Sequence, residues 1–220
     1  MRPLQRGNPV PLNRYQDARN PLIENFGRYC AYCEVFLTTP EVEHKQPKLP
    51  EGSPHLATDW NNLLLACKSC NGIKRYYPPM DAYFPDEHNT ALAFVYERSL
   101  SPKPSPNLNE AQRIRAQRTI DLLGLDRTAK HPKHTATDDR YKLRGEAYSK
   151  ALLALEGYPS IRPEIVIAMA TSTGFFSIWM TVFQDNPELC VRLIRAFNGT
   201  AHDCFDAQGK PTESLVRPLP

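Results

Sequence analysis

Two Cys-x-x-Cys pairs, Cys30/Cys33 and Cys67/Cys70, constrain this chain more than any other feature of its sequence. Each such turn presents two sulfurs to one ion, and four thiolates suit a tetrahedral zinc with Zn–S of about 2.3 Å. The stretch between the pairs, residues 34–66, is longer than a compact zinc ribbon uses. It is expected to form an insertion with its own structure, its two ends fastened by the metal. A zinc held by four thiolates has no open coordination position, so this ion is structural. Disulfides are the competing use of such cysteines, and a reducing cytosol disfavours them. Cys190 and Cys204 have no partner at such spacing and read as buried small hydrophobes.

The chain has 220 residues, with 41% hydrophobic and 23% charged side chains, enough to bury a core. It has 21 prolines against 10 glycines, which favours short elements and ordered loops over long helices. The opening "MRPLQRGNPVPL" lacks the apolar core of a signal peptide. From Ile165 to Phe183 no residue is charged, about the length of a membrane span. The "TSTG" at its centre supplies three hydroxyls and a glycine, so the stretch reads as two buried helical turns joined at Gly174. A cytoplasmic protein without membrane contact is expected.

The net charge of +3 does not by itself announce nucleic acid. It conceals an uneven distribution, because residues 98–150 carry 12 basic and 6 acidic side chains between two slightly acidic flanks. Such a segment is either a solvated helical face or a surface that holds phosphates. "SPKPSPN", residues 101–107, reads as a linker. It divides an N-terminal unit, 1–100, from a mainly helical region, 108–220. In the latter, "NLNEAQRIRAQRTIDLLGLD" reads as a helix capped by Asn107 or Asn109 and ended by Gly124. "TDDRYKLRGEAYSKALLALEGYP" reads as another, capped by Thr137 or Asp138. In the N-terminal unit a short helix is expected to end at Gly27, "LAFVYE" suits a strand, and "EVEHKQPK", residues 41–48, suits one arm of a β-hairpin. The fold class is therefore α+β.

The order "CAYC", then "VEHKQPK", then "DWNNLLLACKSCNGIK" resembles the HNH endonucleases, whose ββα-metal core carries a four-cysteine zinc knuckle. The resemblance covers residues 28–76. It implies a small nuclease core extended by the helical region, and catalytic roles for His44 and Asn62. His44 would be the general base that activates water, and Asn62 would hold the His44 loop by hydrogen bonds. Glu43 and Asn71 would ligate a catalytic Mg²⁺ or Mn²⁺, with zinc on Cys30, Cys33, Cys67 and Cys70. Adjacent residues of a strand point to opposite faces, so Glu43 and His44 need not compete for one position. This chain departs from the commonest pattern in having Glu where Asp is usual and Asn where His is usual. Lys45, Lys48, Lys74 and Arg75 flank the centre and would grip the nucleic-acid backbone. Tyr76 and Tyr77 are placed to stack bases, although "YYPP" is equally a packed turn. The remaining histidines, His55, His88, His131, His134 and His202, have no such frame and read as surface or core residues.

The opening "MRPL", the "EH-x-x-P-K" form of the motif and the "TIDLLGLD" helix further resemble the HNH subunit of Septu-type and retron-associated anti-phage systems. That likeness implies a defence effector cleaving nucleic acid, DNA or an RNA such as tRNA, beside an ATPase partner docked on the C-terminal helices. Two other readings use the same residues: a catalytically silent zinc module that binds nucleic acid or protein, and a structural subunit of a complex that cuts elsewhere.

Overall fold

Gly27, at φ +72°, stops the first helix where the sequence implies it. A computed structural model describes residues 1–48, 54–79, 81–97 and 101–216. A 3-10 turn at Tyr15–Ala18 leads into α1 (Arg19–Phe26), which buries Leu22 and Phe26. β1 (Glu41–His44) then pairs antiparallel with β2 (Leu63–Ala66), with Glu43 opposite Leu64 and His44 opposite Leu63. All four residues of β2 are buried. α2 (Lys68–Lys74) starts at Cys67, whose Sγ accepts the Cys70 N–H at 3.3 Å. Two strands and a helix thus follow one another as the sequence pattern requires.

The expected linker at 101–107 is a paired strand instead. A single turn, α3 (Thr90–Ala93), runs into β3 (Phe94–Tyr96), which pairs antiparallel with β4 (Pro102–Pro104). Ser105 is buried and its N–H donates to the Ala93 carbonyl at 2.9 Å. Prolines are tolerated in a two-stranded sheet because one side of each strand has no ladder to break. Composition alone does not distinguish such an edge strand from a tether.

α4 (Glu110–Leu123) begins with a capping box, Asn109 and Gln112 bonding each other's backbone N–H groups, and ends at Gly124 in the left-handed conformation. α5 (Arg140–Gly157) begins after Asp139. Asp138, an expected cap, is held by Arg140 through two bonds of 2.7 Å. The charge-free stretch forms α6 (Pro163–Thr173) and α7 (Phe176–Val182) on either side of Gly174, and α8 (Pro187–Ala196) follows. Among the described residues no helix is long and apolar enough to cross a membrane. Cys190 and Cys204 are buried.

One hydrophobic cluster contains residues of both predicted units, from Leu22, Tyr32 and Leu64 to Trp179, Leu193 and Leu215. Polar contacts join the same parts. Glu34, inside the insertion and directly after the first cysteine pair, is buried with φ +68°. Its carboxylate accepts from the Ser177 N–H at 2.8 Å and the Ser177 hydroxyl at 2.6 Å, and its carbonyl accepts from the Phe175 N–H at 2.8 Å. Gly174 is needed there, because a Cβ would lie 2.6 Å from the Glu34 carbonyl oxygen and 2.8 Å from the Phe36 nitrogen. The N-terminal segment ties the other side. Arg2 donates to the carbonyls of Phe26 and Asn198, and Arg6 to those of Trp60 and Leu63.

Candidate active site

The four sulfurs of Cys30, Cys33, Cys67 and Cys70 lie within 4.8 Å of one another, as a tetrahedral zinc requires. Cys30, Cys33 and Cys70 are buried, so the ion would be sealed from solvent. Arg140, from the start of α5, reaches across to put Nη1 3.2 Å from the Cys70 sulfur. Four thiolates around one Zn²⁺ leave a net charge of −2, and a buried guanidinium beside them offsets part of it. The same Arg140 donates to the Leu123 and Gly124 carbonyls, which fixes it to the end of α4. No sequence signal marked it, since its partners are 70 and about 16 residues away in the chain.

The four-cysteine cluster joins the start of α2 to the segment before the hairpin, and the hairpin's alternation places the other groups. Glu41 and Glu43 face α2, whereas His44 faces the opposite side. The His44 ring lies against Tyr15, with centroids 4.9 Å apart, and its Nε2 is 3.1 Å from the Ala57 carbonyl oxygen. A carbonyl only accepts, so Nε2 carries the proton in this bond and Nδ1 keeps the lone pair. Burial lowers the His44 pKa below its ordinary value; the Ala57 carbonyl opposes this, and Lys48 and Lys74 lower it further. The ring is therefore neutral at neutral pH. Asn62 is buried and clamps the turn after β1. Its Oδ1 accepts the Gln46 N–H at 2.7 Å, and its Nδ2 donates to the Gln46 and Leu56 carbonyls at 2.9 and 3.0 Å.

The expected metal-ligand pair, Glu43 and Asn71, is not brought together by a direct contact. Asn71 donates its Nδ2 to Glu41 at 2.7 Å. Glu43 is buried, with the Lys74 ammonium 2.6 Å from Oε1 and the Tyr32 hydroxyl donating to Oε2. Lys74 also donates to the His44 carbonyl at 2.7 Å. Burial raises the Glu43 pKa, and Lys74 and Tyr32 oppose that shift. Glu41 was legible in principle, because it precedes Glu43 by two and so shares its face. Tyr32 lies inside "CAYC", where its side-chain direction cannot be read from spacing.

Two of the four expected phosphate-gripping cations are corrected by the structure. Lys74 is fully buried in the pair just described. Lys45 is buried too, pairing with Asp86 at 2.7 Å and with Glu87. Both side chains satisfy acids inside the fold, which leaves them no exposed charge to offer. Lys48 and Arg75 are exposed. The Lys48 ammonium lies 4.1 Å from the Tyr15 ring centroid, on the His44 side of the hairpin.

The four cysteines, the hairpin with His44 and the short helix follow one another within a single stretch of chain. Residues 30–76 match the HNH endonuclease family. Two relatives are similar to part of the chain. A Septu protein PtuB from Bacillus thuringiensis is 41% identical over 75 residues, covering 32% of this chain and 28% of that protein. A Septu protein PtuB from Bacillus mycoides (strain KBAB4) is 34% identical over 86 residues, covering 31% of this chain and 29% of the relative. The aligned parts thus span under a third of each relative's length.

Proposed function

We propose that this chain is a metal-dependent HNH endonuclease that hydrolyses nucleic-acid phosphodiester bonds. The observation that carries the reading is His44, a neutral imidazole whose Nε2 is committed to the Ala57 carbonyl. That bond fixes the ring with Nδ1 as the nitrogen able to take a proton from an attacking water. Asn62 keeps the base in place by clamping the turn that follows it. Lys74 fixes the strand that carries the base through the His44 carbonyl.

Glu41, Glu43 and Asn71 offer carboxylate and amide oxygens on one side of the hairpin, a hard donor set that suits Mg²⁺ or Mn²⁺ rather than a soft metal. Such an ion, when bound, polarises a phosphoryl oxygen and stabilises the leaving oxygen. Lys48 and Arg75 remain as exposed cations for the phosphate backbone. Zinc belongs to the four cysteines, and its closed ligand set excludes it from the chemistry. The role in anti-phage defence rests on the likeness to the two Septu proteins. The ATPase partner belongs to that same reading, and a cytoplasmic setting is proposed beside it because reduced cysteines are needed to hold a metal.

One observation favours the silent zinc module as a second reading. Both Glu43 oxygens are already engaged, one by a buried ammonium. One experiment separates the two. Zinc-loaded wild type and His44→Ala are incubated with end-labelled duplex DNA, single-stranded DNA and total tRNA, with Mg²⁺, with Mn²⁺ and with neither. Cutting that needs added metal and is lost in His44→Ala is the expected result, and the cut substrate identifies DNA or RNA. Cutting that survives in His44→Ala removes the base assignment. Intact substrates in every lane, with no Mn²⁺ bound beyond background, favour the silent module.

A further inference from the structure

α2 has two sides. Asn71 and Lys74 face the hairpin, whereas Lys68, Gly72 and Ile73 line a cleft of about 1340 Å³ on the opposite side. The far wall of the cleft is α4 and the connection that follows it, part of the basic middle segment of the sequence. We propose that this cleft binds a single strand of nucleic acid, so that the helical region forms part of the nuclease's substrate surface. The proposal deepens the nuclease reading and rests on it for the identity of the polyanion.

Charge is the first support. Lys68, Arg75, Arg127 and Lys133 line the cleft from both walls, and among the described residues none of them makes an ion pair. The acids nearby are engaged. Asp81 pairs with Arg115 and Arg118, Asp138 with Arg140, and Asp121 accepts from Gln117. A concentration of unpaired cations in a concave site attracts a chain of phosphates.

Shape and polarity are the second support, and they select an unpaired strand. Ile73, Leu122 and Pro78 give the cleft apolar surface, and the exposed ring of Tyr77 stands at its lining. Cations beside an aromatic and an apolar floor suit bases that have left their stack. A duplex keeps its bases paired and offers mainly backbone.

Gly72 is the third. It lies inside α2, where glycine is the poorest helix former after proline. A Cβ built there meets nothing within 4 Å, so no packing inside the fold requires glycine. A ligand backbone approaching the helix closely would require it.

The test is binding, measured by fluorescence anisotropy in zinc-loaded His44→Ala without added Mg²⁺ or Mn²⁺, so that chemistry plays no part. The probe is a labelled oligothymidylate of about 20 nucleotides, with the same sequence annealed to its complement as comparison. Arg127→Ala/Lys133→Ala removes two cations at exposed or half-exposed positions. It is expected to weaken strand binding about tenfold and to reduce the slope of log K against log[salt] by about 1.4, or about 0.7 per lost phosphate contact. Gly72→Leu fills the cleft from a good helix former and is expected to weaken binding with zinc content and melting temperature retained.

Strand binding within about twofold of the parent in both variants, with an unchanged salt slope, overturns the proposal. So does equal affinity for strand and duplex, or displacement of the strand by polyglutamate at matched charge, which would assign the cleft to an acidic protein segment. Strand binding that obeys the prediction beside a failed cleavage assay would sink the nuclease reading and leave the cleft standing.

Discussion

Replacing Lys74 with Met tests how the hairpin and α2 are held. Met keeps most of the volume of a fully buried side chain and removes one charge. Glu43 is left buried with only the Tyr32 hydroxyl, and the His44 carbonyl loses its donor. Breaking a buried pair by removing one partner costs about 3–5 kcal/mol. Glu43 has an escape, which is to take up a proton. For a carboxyl of ordinary pKa about 4.3, neutralisation at pH 7 costs about 3.7 kcal/mol, which caps the charge part of the loss. The sign with pH follows. In the variant the folded state keeps Glu43 protonated while the unfolded state releases the proton. The folded state then binds more protons, so stability falls as pH rises above about 4.3, by about 1.4 kcal/mol per unit until the raised folded pKa is reached. Urea unfolding of zinc-loaded protein at pH 5, 6 and 7, without added Mg²⁺, reads this directly. The expected deficit against wild type is up to about 4–5 kcal/mol at pH 7 and about 2 kcal/mol at pH 5. Glu43→Gln/Lys74→Met should lose the pH dependence. A deficit below about 1 kcal/mol at pH 7 that does not change with pH would show that the pair is not buried as described.

Other perturbations reach other parts. Chelation should release one zinc per chain and collapse thermal stability, since apparent zinc contributions in such sites reach about 10 kcal/mol or more; a chelator-reporter titration with calorimetry checks both. Arg140→Met should weaken zinc affinity about tenfold through loss of the charge beside Cys70, read by competition with a zinc dye. Gly174→Ala should cost about 2–4 kcal/mol, because its Cβ meets backbone rather than a movable side chain, and urea unfolding measures it. The acid limb of the cleavage rate should fall below the ordinary histidine value of about 6.5, because burial lowers His44; a pH–rate profile places it, and a limb above that value would contradict the environment described.

Local chemistry made the frame legible. Cys-x-x-Cys spacing gave the four-cysteine cluster, alternation in Glu41–His44 gave opposite faces to Glu43 and His44, and Asn109, one of two expected caps, and Gly124 mark the ends of α4. The contacts that escaped prediction are those made by long side chains across the fold. Lys45 and Lys74 look like surface lysines in sequence, and only the placement of Asp86 and Glu43 reveals that they are internal counter-ions. The Pro102–Pro104 strand escaped for a different reason: proline punctuates both tethers and sheet edges, and the partner strand decides which.

The seat of Glu34 in the turn at Gly174 governs how this chain can diverge. Residues 30–76 carry the recognisable motif, yet a residue between its two cysteine pairs is held by Phe175 and Ser177. A foreign nuclease core grafted onto these helices would arrive without that carboxylate and leave the Ser177 donors unanswered. Drift at 174–177 must likewise be matched at 34–36, where backbone meets backbone. The motif and these helices are thus physically matched parts, and chimaeras that keep both sides of this contact should fold where exchanges of the motif alone do not.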